Sequence, residues 1–264
     1  MKSNTDHTFV IPAYGDSAFL EACLKALVIQ TVKSRVIIAT STPSSYIEGI
    51  SEKYNVPVFI NKESTGIASD WTFACACCTS KYITIAHQDD IYLPDYTEKL
   101  TSAMKKSPKS LIAFSDYKEI YDGLLRGDTL LLNIKRTILF PFFLFHQTLS
   151  AKIFKKALLA CGSSICCPSV MFNRENIGEI SFNTEMSINM DWFFWWTLAG
   201  RNGTFVFIKE TLMLHRIHSA SETSNGLASN RRQSEDKYMF RKIWPKPIAA
   251  ILTKLYSFSY ISNN

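Results

Sequence analysis

Two adjacent carboxylates, Asp89 and Asp90, stand directly after a hydrophobic run in the segment YITIAHQDDIYLPDY. Charged groups at the end of a buried strand are costly unless something satisfies them. A hard divalent cation with oxygen ligands does so naturally, and Mg²⁺ or Mn²⁺ is typically held by one or two carboxylates together with substrate phosphates. The simplest ligand consistent with such a pair is a nucleotide diphosphate. The same two residues could instead cap the helix that follows, because Asp favours the N-cap and first turn.

Hydrophobic patterning shows what must position the pair. Residues 8–13 (TFVIPA) read as a buried strand. Residues 16–30 carry Phe19, Leu20, Cys23, Leu24, Leu27 and Val28 at helical spacing, which makes one packing face. Strands are then predicted at 35–40, 56–61, 82–86 and 111–115, with helices at 44–54, 67–78 and 95–106. Strands alternating with helices of this length imply an α/β fold with a mostly parallel, Rossmann-like sheet covered by helices on both faces. Ligands of such sheets bind beyond the carboxyl ends of the strands. The loops there begin Tyr14-Gly15-Asp16, Thr40-Ser41-Thr42, Asn61-Lys62-Glu63 and His87-Gln88-Asp89-Asp90. Only the last has a concentrated acidic pair.

No run of about 18 apolar residues is present, and residues 1–15 lack the apolar core of a signal peptide, so a cytoplasmic protein is expected. Net charge is +6, and seven Lys/Arg against two Asp/Glu fall between residues 226 and 264. The expected organisation is therefore a domain at 1–225 and a basic, amphipathic helical tail at 226–264. The tail contains WPKPIAAILTKLYSF, whose tryptophan and aliphatic residues favour a membrane surface over nucleic acid. Residues 134–161 hold a second apolar patch, flanked by Lys135, Arg136, Lys152, Lys155 and Lys156. It either packs on the sheet, lies on a membrane surface or walls an acceptor site. Cys75 and Cys78 formally make a C-x-x-C without a second ligand pair, so the seven cysteines read as small buried residues in a reducing compartment.

The chain resembles the inverting family 2 glycosyltransferases of GT-A type, in particular those that build bacterial surface polysaccharide. TFVIPAYGDSAFLEACLKALVIQT is similar to that family's opening. The spacing from Gly66 to Asp90 matches it without a gap, and CPSVMFNRE, MDWFFWWTLAG and HRIHSASET extend the likeness over residues 8–223. The resemblance implies a nucleotide-sugar-dependent hexosyltransferase acting on a carbohydrate or lipid-linked acceptor, with Mn²⁺ or Mg²⁺ as cofactor. It implies that Pro12, Ala13 and Tyr14 hold the nucleobase and ribose. It places Asp16, Thr40, Asp70 and Gln88 around the donor, and Arg216 on the diphosphate. Asp89, Asp90 and His218 would bind the metal. Asp191 falls where the family keeps its catalytic base, which takes the proton of the attacking hydroxyl.

The chain departs from the family at several positions. Thr40 and Ser41 replace an acidic pair that commonly reads the base, so a UDP-sugar is only the default donor. Trp71 and Thr72 stand where Arg-Asn is common, His87 replaces an acid, and Met190 replaces a Glu. A non-catalytic scaffold of the same fold is the alternative. A sugar nucleotidyltransferase would need a Gly-rich, Arg-containing first loop, and PAYGDSAF has one glycine and no arginine.

Overall fold

The computed structural model describes residues 2–218 and 231–257. The boundary expected at 225/226, residues 219–223 of HRIHSASET and the last seven residues of the tail lie outside the described residues. Among the described residues ten strands form one mixed sheet. Its parallel half is β3 (Val58–Ile60), β2 (Val32–Thr40), β1 (Lys2–Ala13) and β4 (Tyr82–Ile85), in that spatial order. Next to β4, β9 (Val170–Asn173) runs antiparallel and joins it to β6 (Ser110–Tyr121). Parallel pairing resumes between β6 and β10 (Thr204–Ile217), and β10 holds β5 (Ile91–Tyr92) antiparallel. The short β7 (Leu124–Leu125) and β8 (Thr148–Leu149) pair with β6 and β10.

Alternation along β1 divides the core in two, because successive side chains point to opposite faces. Phe9 and Ile11 pack against α1 (Leu20–Val28), α2 (Ser45–Tyr54) and α4 (Tyr96–Lys106). Val10 faces α3 (Ile67–Ala76), α5 (Leu130–Phe143), α6 (Lys152–Leu159) and α8 (Met190–Ala199). A single turn, α7 (Arg174–Ile177), follows β9. Helix α1 starts at Leu20, four residues later than the periodicity suggests, because a turn beginning at Gly15 (φ +60°) intervenes. β6 is longer than the 111–115 expected, and it runs beside the similarly long β10. Their polar ends pair Glu119 with His215 and so carry the sheet beneath the loops.

The apolar residues of 134–161 belong to two helices. Leu139 and Phe143 of α5 are buried on the sheet, with the Phe143 ring against Phe114 and Phe207. Two of the flanking lysines turn inward. Lys155 donates to the carbonyls of Arg201 and Gly203, and Lys156 to that of Trp196; burial pushes both down to about 8. The described part of the tail is α9 (Arg231–Ile243) and α10 (Lys246–Ser257). Its basic residues face outward except Arg232, which pairs with Asp236, but Met239 and Phe240 are wholly buried, and Trp244 Nε1 donates to the Ala160 carbonyl at 2.8 Å. Tyr256 lies over Gly162, where a Cβ would stand 2.5 Å from its ring. Only glycine permits that approach, and φ is +142° there.

Candidate active site

Three strand-end loops meet above the parallel half of the sheet. The Tyr14 N–H donates to Gln88 Oε1 and the Gln88 amide donates back to the Tyr14 carbonyl, each at 3.1 Å, which ties the loop after β1 to that after β4. The Gly15 N–H donates to Thr42 Oγ1 at 2.7 Å, and the Thr42 N–H donates to Thr40 Oγ1 at 3.0 Å. With its backbone fixed in this way, Tyr14 leaves its ring 65% exposed, available as a stacking face. Asp16 accepts from the Ser44 hydroxyl. Asp70, in the first turn of α3, accepts from the Ser41 hydroxyl at 2.8 Å and the Asn61 amide at 2.9 Å. Ser41 therefore bonds to an acid of another element, although it stands where the family commonly keeps an acid.

The acidic pair is divided by its surroundings. Asp90 is fully buried, and its Oδ1 accepts from the Arg216 N–H at 2.8 Å and from His215 Nδ1 at 3.0 Å. Asp89 faces outward and accepts from His218 Nε2 at 2.8 Å. Burial works against charge on Asp89, but the His218 bond and the neighbouring His87 and His215 outweigh it and hold its carboxyl below the usual range. Burial likewise opposes charge on His215, and contact with Asp90 overcomes this and pushes it up. His87 is pushed down by burial. The Arg216 Nε donates to the Asp89 carbonyl at 2.8 Å, and its guanidinium lies 4.5 Å over the Phe19 ring.

This group fits a hard cation. Ligand atoms of His87, Asp89 and Asp90 lie within 4.8 Å of one another. Asp90 Oδ2 and His87 Nε2 are buried and have no hydrogen-bond partner. Buried polar atoms are normally satisfied, so an unpaired carboxylate oxygen 3.9 Å from His87 Nδ1 and close to Asp89 is the environment expected of a cation site.

Asp191 lines the same cleft as His87 and Asp89. It lies in the first turn of α8 and accepts from the Trp192 N–H at 2.6 Å. Burial pushes its carboxyl up to about 6 despite that bond and the charge of Arg232. The loop leading to it is held by α9. The Glu235 carboxylate accepts the N–H groups of Ser187, Ile188 and Asn189 at 2.8–3.0 Å, and Asp236 accepts from the Asn189 amide at 2.6 Å. Patterning read α9 as a basic face and missed this role. The signal was the lone acidic pair Glu235-Asp236 in an otherwise cationic segment. Glu235→Ala is expected to leave three N–H groups without their acceptor and to cost about 2–4 kcal/mol, visible as a drop in melting temperature.

All of these elements surround one cleft of about 1210 Å³. Pro12, Ala13, Tyr14, Asp16, Asp70 and Gln88 line it, together with Asp89, Asp191, Arg216 and His218. Thr40 and Asp90 are buried behind the wall and act through Thr42, His215 and Arg216. Lys135, Arg232 and Tyr256 also line the cleft. Their types had suggested a membrane flank and a tail.

Comparison with known proteins bears on the family and the fold. The model of the family described as glycosyl transferase family 2 matches residues 8–180. An uncharacterized glycosyltransferase of Haemophilus influenzae is 22% identical, over 93% of this chain and 74% of that protein. Among solved structures, a mannosyltransferase from Pyrobaculum calidifontis in complex with GDP-Man and Mn²⁺ aligns with a TM-score of 0.62. It is 13% identical over 95% of this chain and 69% of its own. Glucosyl-3-phosphoglycerate synthase from Mycobacterium tuberculosis with Mn²⁺ and UDP-glucose gives a TM-score of 0.58, at 14% identity over 92% of this chain and 81% of its own. S. aureus TarS 1–349 gives 0.59 at 13% identity over 89% of this chain, which spans 65% of the TarS fragment. The sheet is that of the GT-A glycosyltransferases, and the chain belongs to glycosyl transferase family 2.

Proposed function

We propose that this glycosyltransferase moves a hexose, with inversion, from a nucleotide-diphosphate sugar to a hydroxyl of a carbohydrate or lipid-linked acceptor, with a UDP-sugar as the default donor. The observation that carries this reading is that Asp191, with its raised pKa, lines the same cleft as His87 and Asp89 of the His87, Asp89 and Asp90 cluster. Support also comes from the similar structures that hold GDP-Man with Mn²⁺ and UDP-glucose with Mn²⁺.

In this reading Asp191 accepts the proton of the acceptor hydroxyl as its oxygen bonds to the anomeric carbon. The bond from that carbon to the diphosphate breaks, and the electron pair leaves with the diphosphate. Asp89 and Asp90, with His218 bonded to Asp89, would hold Mn²⁺ or Mg²⁺. Such a cation, when bound, stabilises the charge of the departing diphosphate. Arg216, already braced by the Asp89 carbonyl, offers its planar fork to phosphate oxygens. Tyr14 stacks on the base, beside Pro12 and Ala13. Asp16, Thr40, Asp70 and Gln88 hold the loops that shape the donor half.

A panel of nucleotide sugars with and without Mn²⁺, scored by released nucleotide diphosphate and by thermal shift, tests the proposal. One donor should raise the melting temperature in the presence of the metal and be turned over. No shift and no release across the panel would leave only the scaffold reading.

The cytoplasmic face of a membrane is proposed as the working surface. The outer side of α10 supports this with exposed Ile248, Ile251 and Leu255 next to Lys246 and Lys254. Removing the chain from residue 226 onward would be a poor test, because it also strips Met239 and Phe240 from the core.

A further inference from the structure

A helix packed on a sheet normally turns its apolar face inward and a polar face to water. Helix α5 does only the first. Its inner positions Leu132, Leu139 and Phe143 are buried. Its outer positions are largely apolar as well, with Asn133 and Thr137 exposed among them: Leu130 is 73% exposed and Phe140 60%, with Ile134 and Leu144 between and beyond them at helical spacing. Phe145, 85% exposed, continues the stripe. Eight and nine residues later the first turn of α6 exposes Ile153 and Phe154, at 73% and 54%. Isolated exposed apolar side chains are ordinary, but a helix-long run of them marks a contact surface.

Charge distinguishes the occupant. Between residues 130 and 161 there are five Lys/Arg and no Asp or Glu; Lys155 and Lys156 turn inward, Lys135 lines the cleft and Arg136 pairs with Asp116 and Asp128, which leaves Lys152 at the surface. Lys152 is exposed next to Ile153. Lys209 Nζ donates to the Leu144 carbonyl at 3.2 Å and so sits at the base of the Leu144–Phe145 corner. The nearby acids are engaged elsewhere: Glu210 with Lys99, and Asp128 with Arg136. Apolar side chains projecting past a cationic rim suit a bilayer interface, with the rings among acyl chains and the ammonium groups at anionic headgroups. Among the described residues no helix is long and apolar enough to cross a membrane, so the contact would lie in the plane of the surface.

The same helix reaches the cleft. Leu131 and Lys135 line it, each one residue from the exposed Leu130 and Ile134, and across the cleft Tyr256 lines it next to the exposed Leu255. We propose that α5 and the first turn of α6 dock on an anionic lipid surface, so that the cleft opens toward acceptors carried by lipid. The acceptor half of this statement rests on the transferase reading above; the docking half does not.

The test is co-sedimentation of the full chain with vesicles containing phosphatidylglycerol and with pure phosphatidylcholine vesicles. Wild type should pellet with the first and little with the second. Phe145→Ser with Phe154→Ser should lower the partition coefficient at least about tenfold, and Lys152→Glu at least about fivefold. Thermal unfolding and nucleotide diphosphate release without lipid should be unchanged in all variants. No binding to anionic vesicles, or equal binding by the variants, overturns the proposal. So does a wild-type dimer that the Phe variants convert to monomer without any vesicle binding, which would assign the face to a second copy. Vesicle binding by a chain that turns over no donor would retain the docking face and remove the transferase reading.

Discussion

Asp191→Asn is expected to lower sugar transfer about 10²–10⁴-fold and to raise the melting temperature rather than lower it. The two effects share one cause. Burial moves the Asp191 carboxyl from its ordinary 3.8 to about 6. A group raised on folding favours the native state fully below its unfolded pKa, and that contribution is lost as pH climbs through the folded value. Above about pH 6 the native chain therefore carries the cost of a confined negative charge. Two pKa units correspond to about 3 kcal/mol as an upper value. Asparagine keeps the shape and removes the charge. Calorimetry should show the variant more stable by a few degrees at pH 8, with the gap closing near pH 4. The wild-type rate should fall about tenfold per pH unit below about pH 6, because a protonated carboxyl takes no proton. Full activity in Asp191→Asn would remove this residue from the mechanism.

The second large effect separates the two neighbours in the acidic pair. Asp89→Ala should lower turnover by about 10³-fold or more, since the metal contribution is worth several kcal/mol, while leaving folding nearly intact. Calorimetric titration of nucleoside diphosphate should lose its dependence on Mn²⁺, and a chelator should reproduce the loss in wild type. Asp90→Ala should cost stability as well. It strands the Arg216 N–H and His215 Nδ1, which now share Asp90 Oδ1, at about 1–3 kcal/mol for each orphaned group. Asp90→Asn, which keeps an oxygen acceptor, should recover most of the stability and little of the activity. If both alanine variants behaved alike, the division of labour drawn from their burial would be wrong.

Local periodicity was enough to reveal the frame of the site. The four parallel strands carry apolar runs; β1 and β4 are followed at once by polar residues that line the cleft, and β2 and β3 by residues that brace Gly15 and Asp70. Asp89 and Asp90 could be singled out as a pair, but not told apart. What separates them is β10, which approaches from more than 120 residues away and supplies the Arg216 N–H and His215 to Asp90. The same holds for α9. Its composition is that of a solvated basic helix, and only tertiary packing shows that Met239 and Phe240 fill a gap beside Trp192. β9 escaped notice because four residues give no measurable period, although they join the two halves of the sheet. Helix α5 is the converse case. Its apolar content was obvious, but with both faces apolar the sequence could not say which side met the protein.

The way α9 grips the loop before Asp191 bears on biosynthesis. The sheet and the loops around Asp89 lie within the first 218 residues, and they can form while later residues are still in the ribosomal exit tunnel. Glu235, Asp236 and the aromatic contacts of Tyr256 arrive only afterwards. A nascent chain still lacking 231–257 would be without the Glu235 and Asp236 contacts to residues 187–189, so in the proposed reading the loop before Asp191 would be anchored last.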